Sequence, residues 1–113
     1  MAHPVIHWEI LGPDGPALHQ FYRDLFGWSV NADNPFGYGT VDAAETGVGG
    51  GIGAPPDGSS RVVIYVQVPD LQAALDRAVA LGGTVLMPPE DIGPVVLAQF
   101  ADPAGNVIGL LKG

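Results

Sequence analysis

The chain has no cysteine, which removes disulfide frameworks, thiolate nucleophiles and thiolate zinc sites together. Positive charge is almost as scarce. Four Lys plus Arg stand against twelve Asp plus Glu, a formal charge of −8, and a chain so poor in cations cannot neutralise a phosphate backbone, which argues against nucleic acid as a partner. No apolar stretch approaches the roughly 20 residues needed to span a bilayer. The opening Met-Ala-His-Pro lacks the basic region and apolar run of a secretory signal, and points to a cytoplasmic protein. Charged residues fill only 14% of the 113 positions and hydrophobic ones 47%, a balance that excludes a disordered chain and fits one domain with one core.

Glycine and proline are plentiful instead, 17 and 11 respectively, and they cut the chain into short elements that repeat. Residues 5–30 laid over residues 61–86 place Pro13-Asp14 on Pro69-Asp70, Ala17 on Ala73, Leu25 on Leu81, Gly27 on Gly83 and Val30 on Leu86, an offset of 56. The same offset puts Gly49 on Gly105, Ile52 on Ile108 and Gly53 on Gly109. Two copies of one unit are therefore expected, about 3–54 and 60–111.

Each copy opens with a strand. In the first, Val5, His7 and Glu9 alternate with Ile6, Trp8 and Ile10, and in the second Val63, Tyr65 and Gln67 alternate with Val62, Ile64 and Val66. Asp14 and Asp70 can each accept from backbone N–H groups at a helix start, which predicts helices opening near 15 and 71. Leu18, Phe21, Tyr22 and Leu25 make one apolar stripe, as do Leu71, Ala74, Leu75 and Ala78. Gly27 and Gly82-Gly83 predict the C-terminal stops. Strand candidates then follow at 28–31, 37–43 and 48–53, and at 84–87, 95–101 and 106–111, giving strand, helix, strand, strand, strand in each copy. The turn-rich stretch Pro55-Pro56-Asp57-Gly58-Ser59-Ser60 is the linker.

Several local wordings then point to one family. His7 precedes Phe21-Tyr22, Leu25-Phe26-Gly27-Trp28 closes the first helix, and Phe100-Ala101-Asp102-Pro103-Ala104-Gly105-Asn106 turns into the last strand. Together with the repeat, these resemble the vicinal oxygen chelate superfamily, which includes glyoxalase I, bleomycin-resistance proteins and extradiol dioxygenases. The resemblance implies an α+β fold: two tandem βαβββ units in a single domain over 1–113, forming a curled mixed sheet, a cup, with helices outside. It also implies a homodimer.

In metal-using members, ligands come from the first and last strands of each unit. Those positions here are His7, Gly53, Val63 and Gly109. Glycine and valine offer no side-chain donor, and a catalytic divalent site ordinarily needs about three protein ligands, so no metal cofactor is expected. His7 and Glu9 share a strand face about 6–7 Å apart, with Tyr65 and Gln67 projecting the same way. Three readings stay open for this polar set: ligand contact, plain solvation, or an unconventional metal site on His7 and Glu9. The ligand-binding set is His7, Glu9, Tyr38, Gly53, Val63, Tyr65, Gln67 and Gly109, with His7 and Glu9 as catalytic candidates for moving a proton. Trp28, Phe36, Met87 and Phe100 could stack on a planar ligand or pack the core.

The run Gly47-Val48-Gly49-Gly50-Gly51-Ile52-Gly53 fits neither dinucleotide nor Walker spacing and leads to no helix. Its glycines predict a deeper cup instead. His3 and His19 are not site candidates. Two functions follow: a metal-independent small-molecule binder, whose acidity suits a cationic or amine-bearing ligand and whose aromatic residues suit an aromatic one, or a lyase, isomerase or dioxygenase-type enzyme acting on a small oxygenated substrate.

Overall fold

The computed structural model describes residues 2–113. Its elements are β1 (Val5–Leu11), α1 (Gly15–Phe26), β2 (Gly39–Val41), α2 (Ala43–Thr46), β3 (Gly50–Gly53), β4 (Arg61–Val68), α3 (Leu71–Ala80), β5 (Thr84–Asp91), β6 (Val96–Ala101) and β7 (Val107–Lys112). They fall into two compact units, His7–Val63, and Ile64–Gly113 with the residues up to Ile6.

In the unit His7–Val63, β1 runs parallel to β3 with Trp8 opposite Gly50 and Glu9 opposite Gly51, and β2 lies antiparallel on the far side of β3. The Asp14 carboxylate accepts from Ala17 N at 3.1 Å and starts α1, as the sequence predicts. Gly27, at φ 69°, ends it in the left-handed conformation and returns its N–H to the Arg23 carbonyl. Val30, Val41 and Ile52 form the core, against which Trp8, Ile10, Leu18, Tyr22 and Trp28 pack. The helix is rotated from the expected stripe: Phe21 and Leu25 are exposed, and His19 is buried. A hydrogen bond explains the rotation. His19 Nε2 stands 2.6 Å from the Ile52 carbonyl oxygen, so the helix turns its one buried polar side chain onto a β3 acceptor that a buried position must satisfy.

The expected strand at 28–31 does not form. Its only pairing is an isolated bridge from Asn31 to Thr40. Ser29 N instead donates to the Glu45 carboxylate on the short helix α2, and Arg23 donates to the Val30 carbonyl, so side chains satisfy this backbone where a neighbouring strand would have done so.

The other unit follows the expected order more closely. β4 pairs parallel with β7, and β6 lies antiparallel between β7 and β5. Asp70 caps α3 by accepting from Ala73 N at 3.0 Å, the counterpart of Asp14. Leu71 and Leu75 seat the helix on Val68, Ala98 and Leu110. The Asp102 carboxylate accepts from Ala104 N, Asn106 N and Asn106 Nδ2, so the Asp-Pro-Ala-Gly-Asn wording encodes the turn that aims β7. The Asn106 side chain, then its backbone N–H, holds the Asp102 carboxyl below its ordinary value.

The curled cup is not what the chain forms. The strands are ordered β2-β3-β1-β4-β7-β6-β5, a mixed α+β sheet that ends in two edges and is neither curled nor closed. Both edges resist closure. β2 has three residues, and β5 carries Pro88 and Pro89, which have no N–H to offer, with register shifts between Val85 and Met87 and between Met87 and Glu90.

The repeat also slips. Glu9 and Tyr65 are 56 apart, yet Glu9 stands opposite Gly51 and Tyr65 opposite Gly109, so the last strands correspond at 58. Between the first and last strands the slip is even, which keeps each side chain on its face. Gly51, not Gly53, is the counterpart of Gly109.

Leu75 is 1% exposed and Leu86 50%. Leu75→Ala is therefore expected to cost about 2–5 kcal/mol by urea denaturation, and Leu86→Ala less than about 1 kcal/mol.

Candidate functional site

Alternation on β1 separates core from chemistry. Trp8 and Ile10 pack against the helix-side cluster, so His7 and Glu9 project from the opposite face. A third residue joins them from 29 positions away. Tyr38 Oη lies 2.9 Å from His7 Nε2 and donates to Glu9 Oε2 at 2.9 Å. The imidazole and phenol rings are nearly parallel, 22° apart, with centroids separated by 6.3 Å.

Tyr38 reaches this place because two things fix it. Asn34 holds its backbone: the Asn34 amide donates to the Tyr38 carbonyl at 2.6 Å and its oxygen accepts from Tyr38 N at 3.0 Å. Glycines then make room for the ring. A Cβ at Gly51 would sit 1.9 Å from Tyr38 Cζ and Oη, and one at Gly53 3.0 Å from Tyr38 Cδ1. The glycine run is thus a bed for a tyrosine, and the space it was expected to open is filled. On the other face a Cβ at Gly50 would sit 2.1 Å from the Trp8 ring, whose indole N–H donates to the Val48 carbonyl at 2.6 Å.

The remaining expected site residues fall elsewhere. Val63 is fully buried and Tyr65 nearly so. In its own unit Tyr65 lies over Gly109, where a Cβ would meet the ring at 2.2 Å, and its hydroxyl accepts from Gln99 Nε2 at 3.0 Å. Gln67 covers Gly113. Phe36, at the tip of the loop leading to Tyr38, is 82% exposed. Trp28 stacks among Trp8, Tyr22 and Phe26, a core role. Phe100 packs against the other core.

Among the described residues no group of three His, Asp or Glu gathers to hold a metal. Of the four positions that the resemblance implies as metal ligands, Gly53 and Gly109 lie under tyrosine rings, Val63 is buried, and His7 joins Tyr38 and Glu9. Electrostatics single out His7. Burial holds its imidazole below the ordinary value of 6.5, and the Glu9 carboxylate pulls it partly back up. A cavity lies apart from this chemistry. It is an apolar groove of about 590 Å³ beside α3, lined by residues including Ala73, Ala74, Ala78 and Phe100. Asp70, Asp102, Arg77 and His3 also line it, with both carboxylates occupied in backbone caps, whereas His7, Glu9 and Tyr38 converge through hydrogen bonds and form the candidate site.

With this geometry in place, comparison with known proteins assigns the class. The chain belongs to the glyoxalase-like domain family, which it matches over residues 10–111, and so to the vicinal oxygen chelate superfamily. It is 36% identical over 107 residues to CFP32 of Mycobacterium bovis, named as a glyoxylase, covering 86% of this chain and 41% of that protein. The same protein of Mycobacterium tuberculosis matches equally. The chain thus spans about two-fifths of the length of these relatives. In fold it is similar to a glyoxalase/bleomycin resistance protein/dioxygenase superfamily member from Vibrio splendidus, with a TM-score of 0.65 at 20% identity and coverage of 99% of this chain and 100% of that one. Methylmalonyl-CoA epimerase from Mycobacterium tuberculosis also has a TM-score of 0.65, at 16% identity, with 96% and 86% covered.

The depressed imidazole gives a signed expectation. An unfolded His7 takes its proton near 6.5 and the folded one only at lower pH, so its contribution to stability is complete above 6.5 and is lost as pH falls through the folded value. NMR titration should place the His7 midpoint below 6.5, and Glu9→Gln should lower it further by removing the attraction that favours imidazolium. A midpoint raised by Glu9→Gln would contradict the assignment.

Proposed function

We propose that this domain is a metal-independent small-molecule-binding protein of the glyoxalase and bleomycin-resistance type, with its ligand engaged on the β1 face that carries His7, Glu9 and Tyr38. One observation carries the reading: a carboxylate and a desolvated imidazole are held in fixed geometry by a phenol, a pre-organised polar anchor of the kind that orients a ligand in a mostly apolar site. A cationic or amine-bearing ligand suits it, because Glu9 supplies local negative charge and the chain's charge of −8 concentrates cations around it.

The same triad supports a second reading, an enzyme of the lyase, isomerase or dioxygenase type. A histidine neutral near pH 7 can accept a proton. Proton abstraction beside a carbonyl also needs a group to hold the developing oxyanion, however, and the two cations of this unit are spent elsewhere: Arg23 on the Val30 carbonyl and Arg61 on Ser59 and Asp57. Binding is therefore the better supported function. A homodimer fits the exposed Phe21, Leu25 and Phe26 along α1, large apolar side chains that a partner surface would cover.

A thermal-shift screen of aromatic amines tests the binding reading. A true ligand at 100 times its Kd stabilises the fold by about 2.7 kcal/mol. Glu9→Gln should abolish that shift while leaving the unliganded melting temperature nearly unchanged. Turnover of a small oxygenated substrate that is lost in both His7→Gln and Glu9→Gln would favour the enzyme instead.

A further inference from the structure

The His7–Tyr38–Glu9 contact fixes more than distance. A phenol has one proton to give, and an ionised carboxylate can only accept. Tyr38 gives its proton to Glu9 Oε2 at 2.9 Å. Towards His7 Nε2, also at 2.9 Å, the same oxygen is left with acceptor capacity alone, so the proton on that bond belongs to the imidazole. From this geometry we infer that Tyr38 is a positioning residue that locks neutral His7 in its Nε2–H tautomer, making Nδ1 the acceptor nitrogen of the ring. Hydrogen bonding at one ring nitrogen sets the state of the other, so a residue from a distant loop decides which face of His7 can act as a base or accept from a donor.

Three features make this arrangement a built one. The Gly51 and Gly53 positions leave no Cβ to lift the phenol off β3. Asn34 clamps the Tyr38 backbone on both its N–H and its carbonyl. Glu9 lies on the same strand face as His7, two residues on, and so faces the phenol without any backbone distortion. Because each bond in the chain is polarised by the next, the charge on Glu9 strengthens the hold on the His7 proton. The significance for ligand recognition rests on the site proposed above; the tautomer itself does not.

The test needs no ligand, so its failure is distinct from a failure of the binding reading. Long-range ¹H–¹⁵N correlation spectra at alkaline pH resolve the three imidazoles, with buried His19, bonded to the Ile52 carbonyl, as an internal reporter of the fold. Wild-type protein should show His7 protonated at Nε2. Tyr38→Phe keeps the ring and removes the hydroxyl, and should move the two His7 nitrogen shifts away from the wild-type Nε2–H pattern while the His19 signals hold. If the Phe variant loses the His19 signals, Gly51→Ala, which displaces the phenol by its added Cβ, is measured in its place with the same expectation. A wild-type His7 protonated at Nδ1 overturns the inference, and so does a His7 pattern unchanged by loss or displacement of the phenol.

Discussion

The laying of aromatic rings on bare strand β3 is the interaction on which the rest of the structure depends. Gly50-Gly51-Ile52-Gly53 has one side chain in four residues, and glycine in a strand interior costs roughly 0.5–1 kcal/mol relative to alanine in lost chain entropy. Trp8 covers Gly50 on one face and Tyr38 covers Gly51 on the other. Ile52 is fully buried, and its carbonyl binds His19 of α1. Each ring buries far more apolar area than the methyl groups it displaces. Helix orientation, core and site therefore meet on four residues. The same contact that completes the fold on one face sets the chemistry on the other.

The two units apply this device with different consequences. Tyr65 comes from the strand next to Gly109 and faces it directly in register, whereas Tyr38 comes from a loop and must be tethered by Asn34. A strand-borne tyrosine is held by the ladder and turns its hydroxyl to a neighbouring glutamine. A loop-borne one is free to be aimed, and it is aimed at His7 and Glu9. One unit thus carries a polar triad and the other an apolar groove beside an alanine-rich helix.

Much of this was legible where a local rule decides the outcome. Asp14 and Asp70 announce their helices because a short carboxylate before an apolar stripe has one good use. The two faces of β1 follow from alternation, which put Trp8 and Ile10 with the core and His7 with Glu9. What escaped was everything that depends on long-range pairing. Nothing local says that Tyr38 crosses to β1, that His19 is turned inward by a carbonyl of β3, or that segment 28–31 gives its backbone to Arg23 and Glu45 rather than to a strand. The curled cup failed for the same reason: the prolines at 88 and 89 were visible, but their place on an edge strand was not. The glycine run carried the one available signal, since glycines alternating on a strand face invite an aromatic cover.

A double-mutant cycle between Gly51 and Tyr38 measures the central contact directly. Gly51 does not occupy a positive φ, and the nearest atoms that an alanine Cβ there would meet belong to Tyr38. In the wild-type background Gly51→Ala should be clearly destabilising by urea denaturation, and in a Tyr38→Ala background it should be neutral or stabilising, a coupling of about 1–3 kcal/mol. Additive effects of the two substitutions would contradict the account, because they would mean that the tyrosine does not rest on the glycine.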